Sequence, residues 1–151
     1  MNSKDAFEQI ELLIKKSGGE RAKKLSILYK TLKEIAGNKI EVRAEIGDYD
    51  GLKLYLNGKL AKIRAASVNG GKSEHQRGYE RFRIRPLRNK VSFVVFAIEH
   101  LDKLRIYVFR ANEIENVKSL NLRISDESPY KITRKSKYDA ALRNWDILKG
   151  D

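Results

Sequence analysis

The chain has 151 residues, 32 Lys and Arg against 20 Asp and Glu, a net charge of +12 and a pI near 9.9. With 41% hydrophobic and 34% charged residues it is a globular, highly charged chain long enough to bury a core, which points to a single domain over 1–151. The absence of cysteine excludes disulfides and thiolate metal sites, two histidines exclude a histidine-rich zinc site, and the default compartment is a reducing cytoplasm. There is no signal-peptide pattern and no apolar run of membrane-spanning length. A positive surplus of this size points to a polyanion partner, because Lys and Arg release counterions from nucleic acid.

Asp5–Lys16 has Phe7, Ile10, Leu13 and Ile14 at helical spacing, with Asn2 or Ser3 as the cap and Gly18-Gly19 as the stop. Glu20–Ala36 is a second helix with Leu25, Leu28, Leu32 and Ile35 on one stripe. Its other face carries Arg21, Lys23, Lys24, Lys30 and Lys33, a pattern that more often marks a solvated face than a DNA contact. Lys39–Ile46 alternates as a strand, with Ile40, Val42, Ala44 and Ile46 inward.

The most informative stretch runs from Asp48 to Val68. Two acids, Asp48 and Asp50, precede a strand, Leu52–Leu56. Asn57-Gly58 signals a two-residue turn, since both residues tolerate positive φ. The return strand, Lys59–Val68, places Ala61, Ile63 and Ala65 on one face, and Lys62 and Arg64 together on the other, towards the two acids.

Asn69–Gly78 is polar and glycine-rich and reads as a loop. Its Gly70-Gly71-Lys72-Ser73 matches the tail of a phosphate-binding loop but lacks the motif's first glycine. Tyr79–Leu87 is a strand with Phe82 and Ile84 on one side and Arg81, Arg83 and Arg85 on the other. Three arginines on one strand face repel one another unless an anion compensates. Val91–Ile98 is almost continuously apolar, which marks a strand covered on both faces. A turn at 100–103 leads to its hairpin partner Leu104–Phe109, then to a short helix near Ala111–Asn116 and an extended piece at Asn121–Ile124. Lys137–Lys149 completes the chain as a helix, with Tyr138, Ala141, Leu142 and Trp145 on its stripe.

The order of parts resembles the PD-(D/E)XK, or restriction-endonuclease-like, nucleases. The resemblance rests on a leading helix, a strand, an Asp before a second strand, then NGKLAKIRAAS, RFRI, SFVVFAIEH, LRIYVFRANEI and SKYDAALRNWDIL. It implies an α/β fold, a mixed sheet flanked by helices at both ends of the chain. It implies double-stranded DNA as partner, Mg²⁺ as the metal, and the homodimers common among small members. The family's conserved Asp falls on Asp50, with Asp48 as second choice, and these are the metal ligands if the site is active. Its acid-x-lysine pair falls on Lys62-Ile63-Arg64, a departure from the pattern. Lys62 replaces a metal-ligating carboxylate, and Arg64, which keeps its proton at ordinary pH, replaces the lysine. One aspartate between two cations holds Mg²⁺ poorly and phosphate well.

Two readings of this degenerate catalytic site, Asp50, Lys62 and Arg64, follow. One is a DNA-binding protein without efficient cleavage, contacting DNA through Lys62, Arg64, Lys72, Arg77, Arg81, Arg83 and Arg85. In it, Asp50 stands within salt-bridge reach of Lys62 or Arg64. The other is a Mg²⁺-dependent DNA endonuclease of homing or restriction type whose second acid has migrated to Glu34, Glu45, Glu74 or Glu80. A third reading, from a different class, is a basic assembly protein docking on an acidic protein partner.

Overall fold

The computed structural model describes residues 3–46, 51–68, 79–85, 90–124 and 138–149. Two helices come first, α1 (Ser3–Lys16) and α2 (Gly19–Gly37). The strands are β1 (Val42–Ile46), β2 (Leu52–Leu56), β3 (Lys59–Val68), β4 (Tyr79–Arg83), β5 (Phe93–His100), β6 (Lys103–Arg110) and β7 (Ser119–Arg123). A one-turn helix, α3 (Ala111–Ile114), follows β6. No described helix is long and apolar enough to cross a membrane.

Five strands form a mixed sheet in the order β1-β2-β3-β5-β6, antiparallel except for the β3–β5 pair. The α/β architecture with a mixed sheet is therefore as the sequence implied. Both two-residue hairpin turns have positive φ at each central residue: Asn57 (50°) with Gly58 (79°), and Leu101 (50°) with Asp102 (62°). That geometry matches the twist of the flanking strands, and Asn-Gly adopts it at low cost. Asn57 also clips distant segments together. Its side chain accepts from the Glu41 N–H and donates to the Leu148 carbonyl.

Alternation divides the interior in two. On one face of the sheet, Leu54, Leu56, Ala61, Phe93, Val95, Ile106 and Val108 meet α1 and α2 through Phe7, Ile10, Leu32 and Ile35. On the other, Val68, Val94, Phe96, Ile98, Tyr107 and Phe109 meet Phe82, Leu120 and Leu122. All residues of β5 from Phe93 to Ile98 are buried, as their unbroken apolar run requires of a doubly covered strand. Phe96 sits at the centre of the second layer, its ring 4.8 Å from Phe82 and 5.8 Å from Phe109.

Three expectations are corrected. The strand containing Arg81 does not join the main sheet; β4 pairs antiparallel with β7 in a separate two-stranded ribbon laid over the second face. Its apolar residues, Phe82 with Leu120 and Leu122, form a layer of their own, a choice that alternation alone does not distinguish from a sixth strand. Next, 138–149 is not one helix but two 3-10 turns, Asp139–Ala141 and Trp145–Lys149. Between them Arg143 has φ 47°, and its N–H donates to the Ile106 carbonyl on β6 at 2.8 Å. Bonding to an otherwise open sheet edge outweighs the helical periodicity. Last, Ile46 ends β1 exposed rather than inward.

Candidate nucleic-acid interface

The geometry of β3 creates the site. Its ladder with β2 covers only Leu54–Leu56 against Lys59–Ala61, whereas its ladder with β5 runs from Ala61 to Val68. Beyond Ala61 the two hairpin strands part. A groove of about 1300 Å³ enters this opening, between the hairpin and the N-terminal half of α2. Its floor is apolar, including Leu25, Leu28, Leu54 and Ile63. Its charged lining, among the described residues, is Arg21, Lys24, Lys53, Lys62, Arg64 and Arg85 with one carboxylate, Glu20. That balance of charge suits an anionic ligand.

Each cation is placed by its element. Arg21 and Lys24 stand three apart on α2, on one face of the helix. Lys53 alternates with the inward residues Leu52 and Leu54 of β2. Lys62 and Arg64 share the face of β3 that carries their register partners Val94 and Phe96 of β5, away from α2. The structure thus brings Lys62, Arg64 and Arg85 together in one groove, where Arg85 lies past the end of β4 and apart from the Arg81 and Arg83 it was expected to accompany. Arg81 and Arg83 are separate from them, exposed on the ribbon.

Arg64 is the most constrained of these groups. Its Nη1 donates to the main-chain carbonyl of Arg83, and its guanidinium lies 5.5 Å from the Phe82 ring centroid. Burial first, and then the neighbouring charge of Arg85, push the Arg64 guanidinium below its usual range. Two arginines this close lower the cost of bringing in a phosphate, which compensates both.

The basic face of α2 divides in function. Arg21 and Lys24 reach the groove. Lys30 instead pairs with Glu99 at 2.8 Å, and Lys33 sits 4.2 Å over the Phe7 ring. Sequence reasoning missed Glu20 and Lys53 as lining residues, and also Arg21 and Lys24, whose helix face it read as solvated; the parity of Lys53 against Leu52 and Leu54 was the available signal for Lys53.

The carboxylates proposed as migrated ligands are otherwise occupied or elsewhere. Glu34 accepts from Arg143 Nε at 2.8 Å. Glu45 pairs with Arg43 at 3.3 Å and accepts from the Tyr55 hydroxyl at 3.5 Å. Glu80 lies on the ribbon opposite Leu122. Asp48, Asp50, Lys72, Glu74 and Arg77 lie outside the described residues, so the expected Asp50 contact with Lys62 or Arg64 does too. Among the described residues no three carboxylate, histidine or cysteine side chains cluster as a metal site. Mg²⁺ keeps several waters and is held through one or two carboxylates; in the described lining of the groove the carboxylate is Glu20.

With that geometry in place, the comparison with solved structures is informative. The chain superposes on a bacterial homing endonuclease, I-Ssp6803I, with a TM-score of 0.60, 22% identity, and coverage of 88% of this chain and 94% of that one. The likeness is one of fold. No protein-family model and no curated protein matches the sequence.

Proposed function

We propose that this chain is a double-stranded DNA-binding protein on a restriction-endonuclease-like fold, and that it cuts DNA inefficiently or not at all. The observation that carries this reading is the groove where β2 and β3 part, lined among the described residues by six cations and one carboxylate. Phosphates are the ligands that such a lining favours, and Lys and Arg at several positions give the multiple contacts from which duplex affinity is built. Lys62 and Arg64 occupy the positions at which the family resemblance calls for an acid and a lysine. A divalent ion there meets like charge rather than ligands.

A second reading is a Mg²⁺-dependent endonuclease. It is favoured by the fold likeness to a protein described as a homing endonuclease, and by Asp48 and Asp50 preceding β2. In that case Asp50 is a metal ligand and the missing acid comes from another segment.

Two assays separate the readings. A labelled duplex should bind the wild type, and far more weakly the variant Lys24→Ala, Lys53→Ala, Lys62→Ala. Supercoiled plasmid with Mg²⁺ or Mn²⁺ should stay intact, and Asp50→Ala should leave duplex affinity unchanged or raised, because an anion leaves a phosphate-binding face. Nicking by the wild type that disappears in Asp50→Ala would establish the nuclease instead. The third reading, an acidic protein partner, requires tight binding that persists in moderately high salt.

We also take 1–151 as one domain working in the cytoplasm. In a homodimer, two such grooves would engage one duplex, a state that sedimentation with and without DNA reads directly.

A further inference from the structure

The ribbon of β4 and β7 has one face in the core and one in solvent. Phe82, Leu120 and Leu122 are inward, exposed by 4%, 0% and 0%. On the other face the register sets Arg81 beside Asn121 and Arg83 beside Ser119, and all four are exposed. Arg81 donates from Nε to Asn121 Oδ1 at 3.3 Å, a bond that orients the guanidinium plane against the ribbon.

This chemistry differs from that of the groove. The groove has three lysines, Lys24, Lys53 and Lys62, which are point charges suited to phosphate, beside three arginines, Arg21, Arg64 and Arg85, and its described lining holds no Ser or Asn. The outward ribbon positions Arg81, Arg83, Ser119 and Asn121 carry forked or paired donors and acceptors, the side chains that distinguish bases by their edges. Tyr79 and Arg123 share that face by register, but Arg123 is half-buried and pairs with Asp139 at 3.3 Å, which leaves Arg81, Arg83, Ser119 and Asn121 as its exposed part.

The dimensions agree. Residues two apart on a strand are about 6.8 Å apart, and base pairs rise about 3.4 Å, so Arg81 and Arg83 are spaced by two base-pair steps. Strands in a ribbon lie about 5 Å apart, and the major groove, about 12 Å wide, admits a two-stranded ribbon. The two surfaces are also contiguous. Arg83 lies on the ribbon and Arg85, two residues on, lines the groove, while Arg64 ties β3 to the Arg83 carbonyl.

We propose that the outward face of the β4–β7 ribbon reads base edges in the major groove of the duplex whose phosphates occupy the groove beside it. The inference rests on the DNA-binding reading above. Arg83 and the Arg81–Asn121 pair determine sequence preference; Lys62 and its neighbours determine affinity.

The test is selection from a duplex library with a randomised core, run with wild type, Asn121→Ala, Arg83→Ala, Arg83→Lys and Lys62→Ala. Wild type should enrich a motif. The Asn121→Ala and Arg83→Ala proteins should lose preference at one or two positions, with discrimination there falling about 5- to 100-fold. Arg83→Lys keeps the charge and loses the fork, so it should show the same lost preference with affinity for unselected duplex retained. Lys62→Ala should enrich the wild-type motif with uniformly weaker binding. Thermal midpoints check that each variant is folded, and Arg83→Lys, the mildest change, carries the test if an alanine variant is not. Ribbon variants that enrich an unchanged motif would overturn the proposal. So would a wild type that binds duplex with steep salt dependence yet enriches no motif, a result that leaves DNA binding standing. Failure to bind any duplex would overturn both together.

Discussion

Arg64 on β3 and Arg83 on β4 are joined side chain to main chain, the guanidinium of one donating to the carbonyl of the other above the Phe82 ring. This contact ties the main sheet to the ribbon, and it does so with a cation that also lines the groove. Structure and the proposed binding therefore share one residue.

Arg64→Ala should lower stability by about 1–2 kcal/mol, through the lost charged hydrogen bond and cation–π contact, and should also weaken duplex binding. Lysine is a poor substitute, since an ammonium lacks the planar fork that bonds the Arg83 carbonyl and stacks flat on the ring at once. Arg85→Ala should separate the two effects. It removes a like charge beside Arg64, so stability should hold or rise while duplex affinity falls. Urea midpoints and duplex titrations of the two variants, side by side, check this. Equal losses of stability in both would contradict the like-charge account.

Glu34 serves as a strut. It receives Arg143 Nε at 2.8 Å, while Arg143 Nη2 donates to the Leu104 carbonyl at 2.6 Å and its N–H to the Ile106 carbonyl at 2.8 Å. The positive φ of Arg143 is held by these bonds to α2 and β6. Arg143→Ala should cost about 1–3 kcal/mol, and Glu34→Gln about 1 kcal/mol, with duplex affinity unchanged in both. Loss of a metal-dependent activity in Glu34→Gln at unchanged stability would restore Glu34 as a ligand.

Tyr107 gives an alkaline signature. It is fully buried; its hydroxyl accepts from Arg105 Nε at 2.8 Å and donates to the Arg123 carbonyl at 2.9 Å. Burial pushes its phenol above the ordinary value, outweighing the opposing hydrogen bond and charge of Arg105. The unfolded chain then releases this proton before the folded one. Its contribution is full below the unfolded pKa of about 10 and is lost as pH rises above that value towards the raised folded one. Tyr29, whose phenol is also raised, by its bond to Glu11, acts in the same direction. Tyr107→Phe should lower stability by about 1–2 kcal/mol at neutral pH and flatten part of the alkaline decline. Denaturant melts of both proteins on either side of pH 10 measure it; an equally steep decline in the variant would place the buried ionisation elsewhere.

Much of the fold was legible because its signals are local. The Asn57-Gly58 turn, the alternation of Lys59–Val68 and the unbroken apolar run of β5 each follow from side-chain periodicity within a few residues. What was not legible depends on distant partners. Arg81–Arg83 alternates equally well for a sixth strand of the sheet and for a ribbon, and only its pairing with Ser119–Asn121 decides. The stripe of Tyr138, Ala141, Leu142 and Trp145 is helical in spacing, yet the β6 edge captures Arg143 and ends the helix. At the site, Lys62 and Arg64 were visible from strand parity, whereas the two cations supplied by α2 belong to a basic face that the sequence alone favoured as solvated. That this face meets the hairpin, and brings Glu20 and Lys53 with it, depends on how α2 crosses β2 and β3. Periodicity does not encode that crossing.

The central claim is that the groove between α2 and the β2–β3 hairpin binds the phosphates of duplex DNA. Its most direct test is the affinity of wild type and Lys62→Ala for one short duplex, measured from about 50 to 200 mM salt. For six or more phosphate contacts, wild-type affinity should fall by about 10³-fold or more over that range, and Lys62→Ala should bind more weakly with a slope shallower by about one. A flat salt response in the wild type, or an unchanged slope in Lys62→Ala, would contradict it.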